Sequence, residues 1–196
     1  MMENTCILAA GLLPQGKLTE SVRLREELYQ IGLQDKVELV QGWALLQRAE
    51  VALMHGESAK AHELLVAADA VEHALGQPDR LWLHGLHAAT YIRLENYPAA
   101  RNSALHTLEL ARQSMPTSFF VLEGYSGMMS AFLALGDANT GDRTLMKQTK
   151  NALRAFAKYA TSFPIGQPRL FYWRGRLALR NGHGNKASGI WKAGLL

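Results

Sequence analysis

Apolar residues recur along this chain at three- and four-residue intervals, and the runs are interrupted at nearly regular distances. Leu45, Ala49, Ala52 and Leu53 mark one face of a helix before His55-Gly56-Glu57, and Ala61, Leu65 and Ala68 resume the same spacing beyond it. Phe171, Gly175, Ala178 and Leu179 run up to Asn181-Gly182 and are followed by Ala187, Trp191 and Gly194. Ala88, Tyr91 and Ile92 precede Asn96, with Ala100 and Ala104 after Pro98, a residue suited to the first turn of a helix. The first unit is shorter, with Ala9, Leu12 and Leu13 before Gly16 and Ser21, Leu24 and Leu28 after it. In the fourth, Tyr125, Met129, Phe132 and Leu133 lead to an expected turn at Gly136-Asp137 and a long helix from Thr140 to Ala160. No run alternates as a strand would; Val37 to Val40 comes nearest and gives way to helical spacing.

The breaks at Gly16, Gly56, Glu95-Asn96-Tyr97, Gly136 and Gly182 lie about 40 residues apart, the length of one helical hairpin. Five hairpins are predicted, over 1–33, 36–75, 78–114, 117–161 and 167–196, as a single all-α domain. Small residues fall where paired helices cross, since only a short side chain lets the axes approach to about 8–10 Å. The small residue in the first helix, the turn glycine and the alanine after it resemble the tetratricopeptide repeat, most closely in Leu45–Ala68 and Phe171–Gly194. The longer period is similar to the divergent arrays of large bacterial regulators linked to ATPase or cyclase modules or resembling the maltose activator. That resemblance implies a right-handed α-α superhelix whose first helices line a binding groove. It also implies a regulatory place in a larger signalling or transcription-regulatory chain, and the apolar starts and ends of the sequence suggest a fragment of such a chain or end-to-end self-association.

Composition adds little until it is divided along the chain. The net charge is +4, but residues 1–142 carry 17 acidic and 10 basic side chains, whereas residues 143–196 carry 11 basic and no acidic ones. Such asymmetry points to an acidic partner, a nucleic acid or a membrane surface. A mean hydropathy of −0.09 and the shortness of the charge-free stretches argue against a membrane span. One cysteine, Cys6, leaves no intramolecular disulfide, and a cytoplasmic location is expected.

Catalytic signatures are missing: there is no GxxxxGK[ST], HExxH, GxSxG or strand-linked GxGxxG. Gly182-His183-Gly184-Asn185-Lys186 has the wrong spacing for a phosphate loop and is read as a helix-hairpin turn. His84 and His87 share a helix face, but a third ligand from His55, His62 or His73 is not linked to them by spacing, so no metal and no cofactor is expected. Cys6, in an apolar run without a neighbouring base, is read as a core residue.

By the resemblance, groove positions include Trp43, Glu50, Met54, Trp82, Arg93, Ser126 and Ser130. Arg169, Tyr172, Arg176 and Arg180 belong to the same surface, the three arginines at helical intervals beside an aromatic ring that suit clamping of a carboxylate or phosphate. The expected function is a non-catalytic protein–protein interaction scaffold or regulatory module taking a protein or peptide partner, acidic ones included. The alternatives are nucleic-acid binding through the basic C-terminal region and sensing of a small apolar molecule near Trp43, Trp82 and Tyr125.

Overall fold

The structure, a computed structural model, describes residues 2–12, 15–113, 115–139 and 141–195. Leu13 and Thr140, assigned to helices by their spacing, lie outside them, as do Met1, Ser114 and Leu196 at ends of the expected hairpins. The described residues form ten α-helices and no strand: α1 (Met2–Leu12), α2 (Leu18–Gln34), α3 (Glu38–Met54), α4 (Ser58–Asp69), α5 (Gln77–Arg93), α6 (Tyr97–Gln113), α7 (Leu122–Ala138), α8 (Arg143–Ser162), α9 (Gln167–Arg180) and α10 (Gly184–Ala193). Single 3₁₀ turns at Glu72–Ala74, Phe119–Val121 and Pro164–Gly166 join α4 to α5, α6 to α7 and α8 to α9. The chain is all-α.

Each helix packs on the next in sequence, and the odd-numbered helices also pack on one another in a continuous row from α1 to α9. Among the even-numbered helices only α6 and α8 meet to a comparable extent. Alanines sit at the crossings: Ala49, Ala61 and Ala68 between α3 and α4, and Ala88, Ala100 and Ala104 between α5 and α6, are all fully buried. One apolar core runs from Leu45 to Leu177. The N-terminal helices have smaller apolar clusters and are tied by polar contacts, with the Ser21 hydroxyl donating to the Ala9 carbonyl at 2.6 Å and Gln47 Nε2 to the buried Cys6 sulfur at 3.0 Å.

Tight turns need a residue in left-handed backbone after the last helical turn. Gly16, Gly56 and Gly182 supply it at φ of 75°, 80° and 79°, and Glu95 does so at 58° despite its side chain. The fourth turn corrects the sequence reading. Gly136 is helical, α7 continues to Ala138, and the left-handed residue is Gly141 at φ 105°. Inside the helix, Gly136 faces the flexible end of the Arg180 side chain, whose Nη1 lies 2.1 Å from where a Cβ would stand. Asp142, the last acidic residue of the chain, then caps α8 by accepting from the Leu145 amide at 3.0 Å.

One segment, Phe119–Ala138, is long and apolar enough by composition to cross a membrane, with hydropathy 1.3, but 67% of its most apolar window is buried inside the protein. Its apolar faces meet α5, α6 and α8, which makes it the central core helix.

A backbone-to-backbone approach joins α5 and α7. A Cβ on Gly85 would fall 2.1 Å from the Gly124 carbonyl oxygen, one on Gly127 would fall 2.0 Å from the Gly85 oxygen, and one on Gly124 would fall 2.7 Å from the Trp82 Cα. These are backbone atoms and cannot swing aside. In an open helix position alanine is favoured over glycine by about 1 kcal/mol, so Gly189→Ala on exposed α10, where a Cβ meets nothing, should stabilise by up to that amount. Gly85→Ala and Gly127→Ala should instead destabilise by about 3 kcal/mol or more as overpacking against backbone. Urea unfolding of the three variants reads both signs.

Candidate functional site

The α5–α7 contact fixes one wall of a concavity on the row of odd-numbered helices. Glu50 and Met54, one turn apart on α3, face Trp82 of α5, and Glu123 of α7 faces Arg169 of α9. Ala10 of α1 and Arg25 of α2 close the N-terminal end, and Phe119, Phe120 and Ile165 from the two 3₁₀ turns close the other. Tyr159 of α8 holds that rim by donating its hydroxyl to the Phe119 carbonyl, and the Phe120 ring packs on Trp82 at 5.6 Å. The cavity measures about 280 Å³. A second hollow of about 210 Å³ shares Glu50, Met54, Glu123 and Arg169 with it and continues past Ser126 and Ser130 to Arg93. Together they make one groove along the row of odd-numbered helices. Its walls are mainly apolar with a few convergent charges, as binding pockets generally are.

Four charged side chains set its electrostatics. Glu123 and Arg169 form an ion pair at 2.9 Å. Glu50 is buried, and its carboxyl is pushed up to about 8, first by burial and then by the Glu123 charge, with Arg25, Arg169 and the Trp82 indole opposing. Arg25 is also buried; it donates Nη1 to the Gln47 carbonyl at 2.7 Å, and its Nε has no partner. Burial pulls its value down, with Glu50 and Cys6 acting the other way, but a guanidinium stays charged throughout the accessible range. With Glu50 holding its proton near neutral pH, Arg25 is left, like Arg93 further along, as a groove cation that no carboxylate pairs.

The wall also contains donors without acceptors. Trp173 Nε1 and Ser126 Oγ are buried and make no hydrogen bond, and Trp82 Nε1 approaches the Glu50 carboxyl without closing a well-formed one. Each such group costs about 1–3 kcal/mol, and sites that leave them open are where a ligand has most to contribute.

The expected groove residues divide accordingly. Trp82, Arg93 and Arg169 line the groove, Arg93 also donating to the Leu53 carbonyl. Trp43 is half-buried against the core, beside Asp79, whose carboxyl burial raises while Trp43 and the Gly76 amide lower it. Tyr172 is exposed, receives a hydrogen bond from Arg176 at 2.9 Å and packs edge-on against Trp173. Arg180 turns to Asp137 at 3.5 Å. The three arginines thus have three different surroundings, and only Arg169 is at the groove. Arg25 and Glu123 are groove residues that spacing did not single out, since each sits among other charges on a helix of ordinary appearance.

His84 and His87 lie with their rings 6.5 Å apart but take different carboxylate partners. His84 Nε2 meets Glu72 at 2.9 Å and its ring packs on His106 at 4.2 Å; His87 Nε2 meets Asp69 at 2.9 Å. Burial lowers the His84 value, Glu72 opposes, and His106 adds to the lowering. Of the other histidines once considered as partners, His73 pairs with Glu38, His62 packs on Tyr91, and His55 is exposed at the end of α3.

On α8, Arg143, Lys147, Lys150, Arg154 and Lys158 are all exposed and, at spacings of four, three, four and four, occupy a stripe about 80° wide. None forms an ion pair with a described residue; Arg154 donates to Asn151.

Compared with protein-family models, with curated proteins and with solved structures, the chain matches none.

The raised Glu50 value links stability to pH. The folded protein holds a proton that the unfolded chain, with an ordinary value of 4.5, has released, so stability falls as pH rises from about 4.5 to about 8, and the deficit is complete above that. Replacing Glu50 with Gln removes the titration and keeps the shape. In thermal unfolding, Glu50→Gln should match the parent near about pH 5 and melt at least about 5 °C higher near about pH 9.

Proposed function

We propose that the chain is a non-catalytic recognition module, a right-handed tetratricopeptide-like helical array that takes an extended protein segment in the groove of its odd-numbered helices. The observation that carries this reading is the groove itself: apolar walls around Met54, Trp82 and Phe120, unpaired donors, and a buried Arg25 that Glu50 does not neutralise at neutral pH. The preferred anchor is an apolar side chain next to a carboxylate, the first filling the cavity and the second compensating Arg25. Closely packed odd helices and mostly separated even helices support a curved array, as in solenoids built from helical pairs.

Peptide display against the full chain tests this. Selected sequences should combine Asp or Glu with Leu, Phe or Tyr. Met54→Trp, which fills the cavity mouth, and Arg169→Ala, which leaves Glu123 to repel an anion, should each weaken binding by roughly 30-fold, the loss typical of an interface hot spot. Affinity should also fall as Glu50 ionises above about pH 8. Failure to select any peptide, or binding indifferent to both substitutions, overturns the reading.

A second reading rests on the α8 stripe, whose five unpaired cations suit a phosphate backbone. In gel-shift titrations with duplex DNA, five phosphate contacts would give a log–log salt slope of about −4.5, and Lys147→Glu with Lys150→Glu would reduce it to about −2.7. Weak binding that hardly changes with salt removes this reading.

A further inference from the structure

We propose that Glu72, His84 and His106 form a binding site for a divalent transition metal of the zinc class. The three side chains come from three separate elements: Glu72 from the 3₁₀ turn before α5, His84 from α5 and His106 from α6. One ligand atom from each lies within 4.8 Å of the other two. Glu72 Oε1 and His84 Nε2 are already at 2.9 Å, and the His106 ring stands edge-on to His84 at 4.2 Å between centroids. Tetrahedral coordination with bonds of about 2.0–2.1 Å separates ligand atoms by about 3.3 Å, so side-chain rotation alone brings the trio to a common centre.

The donor set selects the metal. Two imidazoles and a carboxylate suit zinc and its neighbours and are a poor set for magnesium or calcium, which take oxygen ligands. Glu72 and His84 are half-buried and His106 is exposed, so the backbone holds two ligands while solvent reaches the third and a fourth position stays open for water. The site is separate from the groove. His84 follows Trp82 by two residues, about 200° around α5, and therefore leaves the helix on the side opposite the groove. The metal would clamp the α4–α5 connection, α5 and α6 together, an effect on stability that does not depend on what the groove binds.

Calorimetric titration of the chelator-treated full chain with zinc chloride at about pH 7.5, where imidazoles are mostly neutral, should give one site. Metal binding that favours the folded state should also raise the melting temperature. His106→Ala, at an exposed position, and Glu72→Gln should each weaken binding by at least about tenfold, since even residues that only orient a ligand cost that much. Exposed His73→Ala and His183→Ala should leave it unchanged. Cobalt(II) added to the wild-type chain should develop the intense visible absorption of a tetrahedral site and lose it in His106→Ala. No saturable zinc binding, a cobalt spectrum like that of the hydrated ion, or equal affinity in His106→Ala and Glu72→Gln overturns the assignment.

Discussion

The geometry of the groove depends on the backbone contact between α5 and α7. Gly85, Gly124 and Gly127 let two helices meet carbonyl to Cα, and groove-lining side chains flank each contact point: Trp82 one turn before Gly85, Glu123 immediately before Gly124, and Ser126 immediately before Gly127. A single added methyl would separate the helices and widen the groove between α3 and α9. Glycine inside a helix sacrifices about 1 kcal/mol of propensity per position. Three of them at one crossing, balanced by close packing of a core helix as apolar as α7, mark this as the most constrained place in the fold.

Burial of charge is the second cost placed around the same groove. Glu50 and Arg25 are both withdrawn from water and sit near each other without closing an ion pair, and Glu50 responds by keeping its proton at neutral pH. A closed pair would be self-sufficient and would leave nothing for a partner. An open one leaves a guanidinium with unused hydrogen-bonding capacity beside an apolar hollow, which is useful only when something else supplies the acceptor. Stability forgone in this way is stability that a ligand supplying the acceptor would restore.

Helix content and most hairpin turns were legible because they are local properties. Ala49, Ala61 and Ala104 occupy crossings as their spacing requires, and Gly56 and Gly182 adopt the left-handed backbone that a short turn needs. The fourth turn was misread because a glycine inside a helix, packed under the side chain of Arg180 44 residues away, is indistinguishable in sequence from one required by a turn. Glu95 shows the converse, a left-handed residue that carries no glycine to announce it. The site was half legible for the same reason. Trp82, Glu50 and Arg169 follow from knowing which helix faces the groove, whereas Arg25, Glu123 and the meeting of His84 with His106 and Glu72 depend on how separate helices are brought together. Spacing along one helix carries no record of that.

The charge asymmetry of the sequence acquires a meaning from the same packing. The basic C-terminal region docks α9 on α7, and two of its arginines are consumed there, Arg169 by Glu123 and Arg180 by Asp137. Both carboxylates belong to the acidic part of the chain, so the boundary after Asp142 divides the partners of internal ion pairs and lies within one continuous core. The cations of α8 have no such partners, because its buried face is apolar, with Leu145, Ala152, Phe156 and Tyr159, and its polar face looks outward. Positive charge on α9 is therefore used in part in ion pairs to α7, Arg169 at the groove and Arg180 away from it, and positive charge on the neighbouring even helix remains in solvent. An excess that looks uniform along the last 54 residues thus acts in two ways, decided by which face of each helix carries the basic side chains.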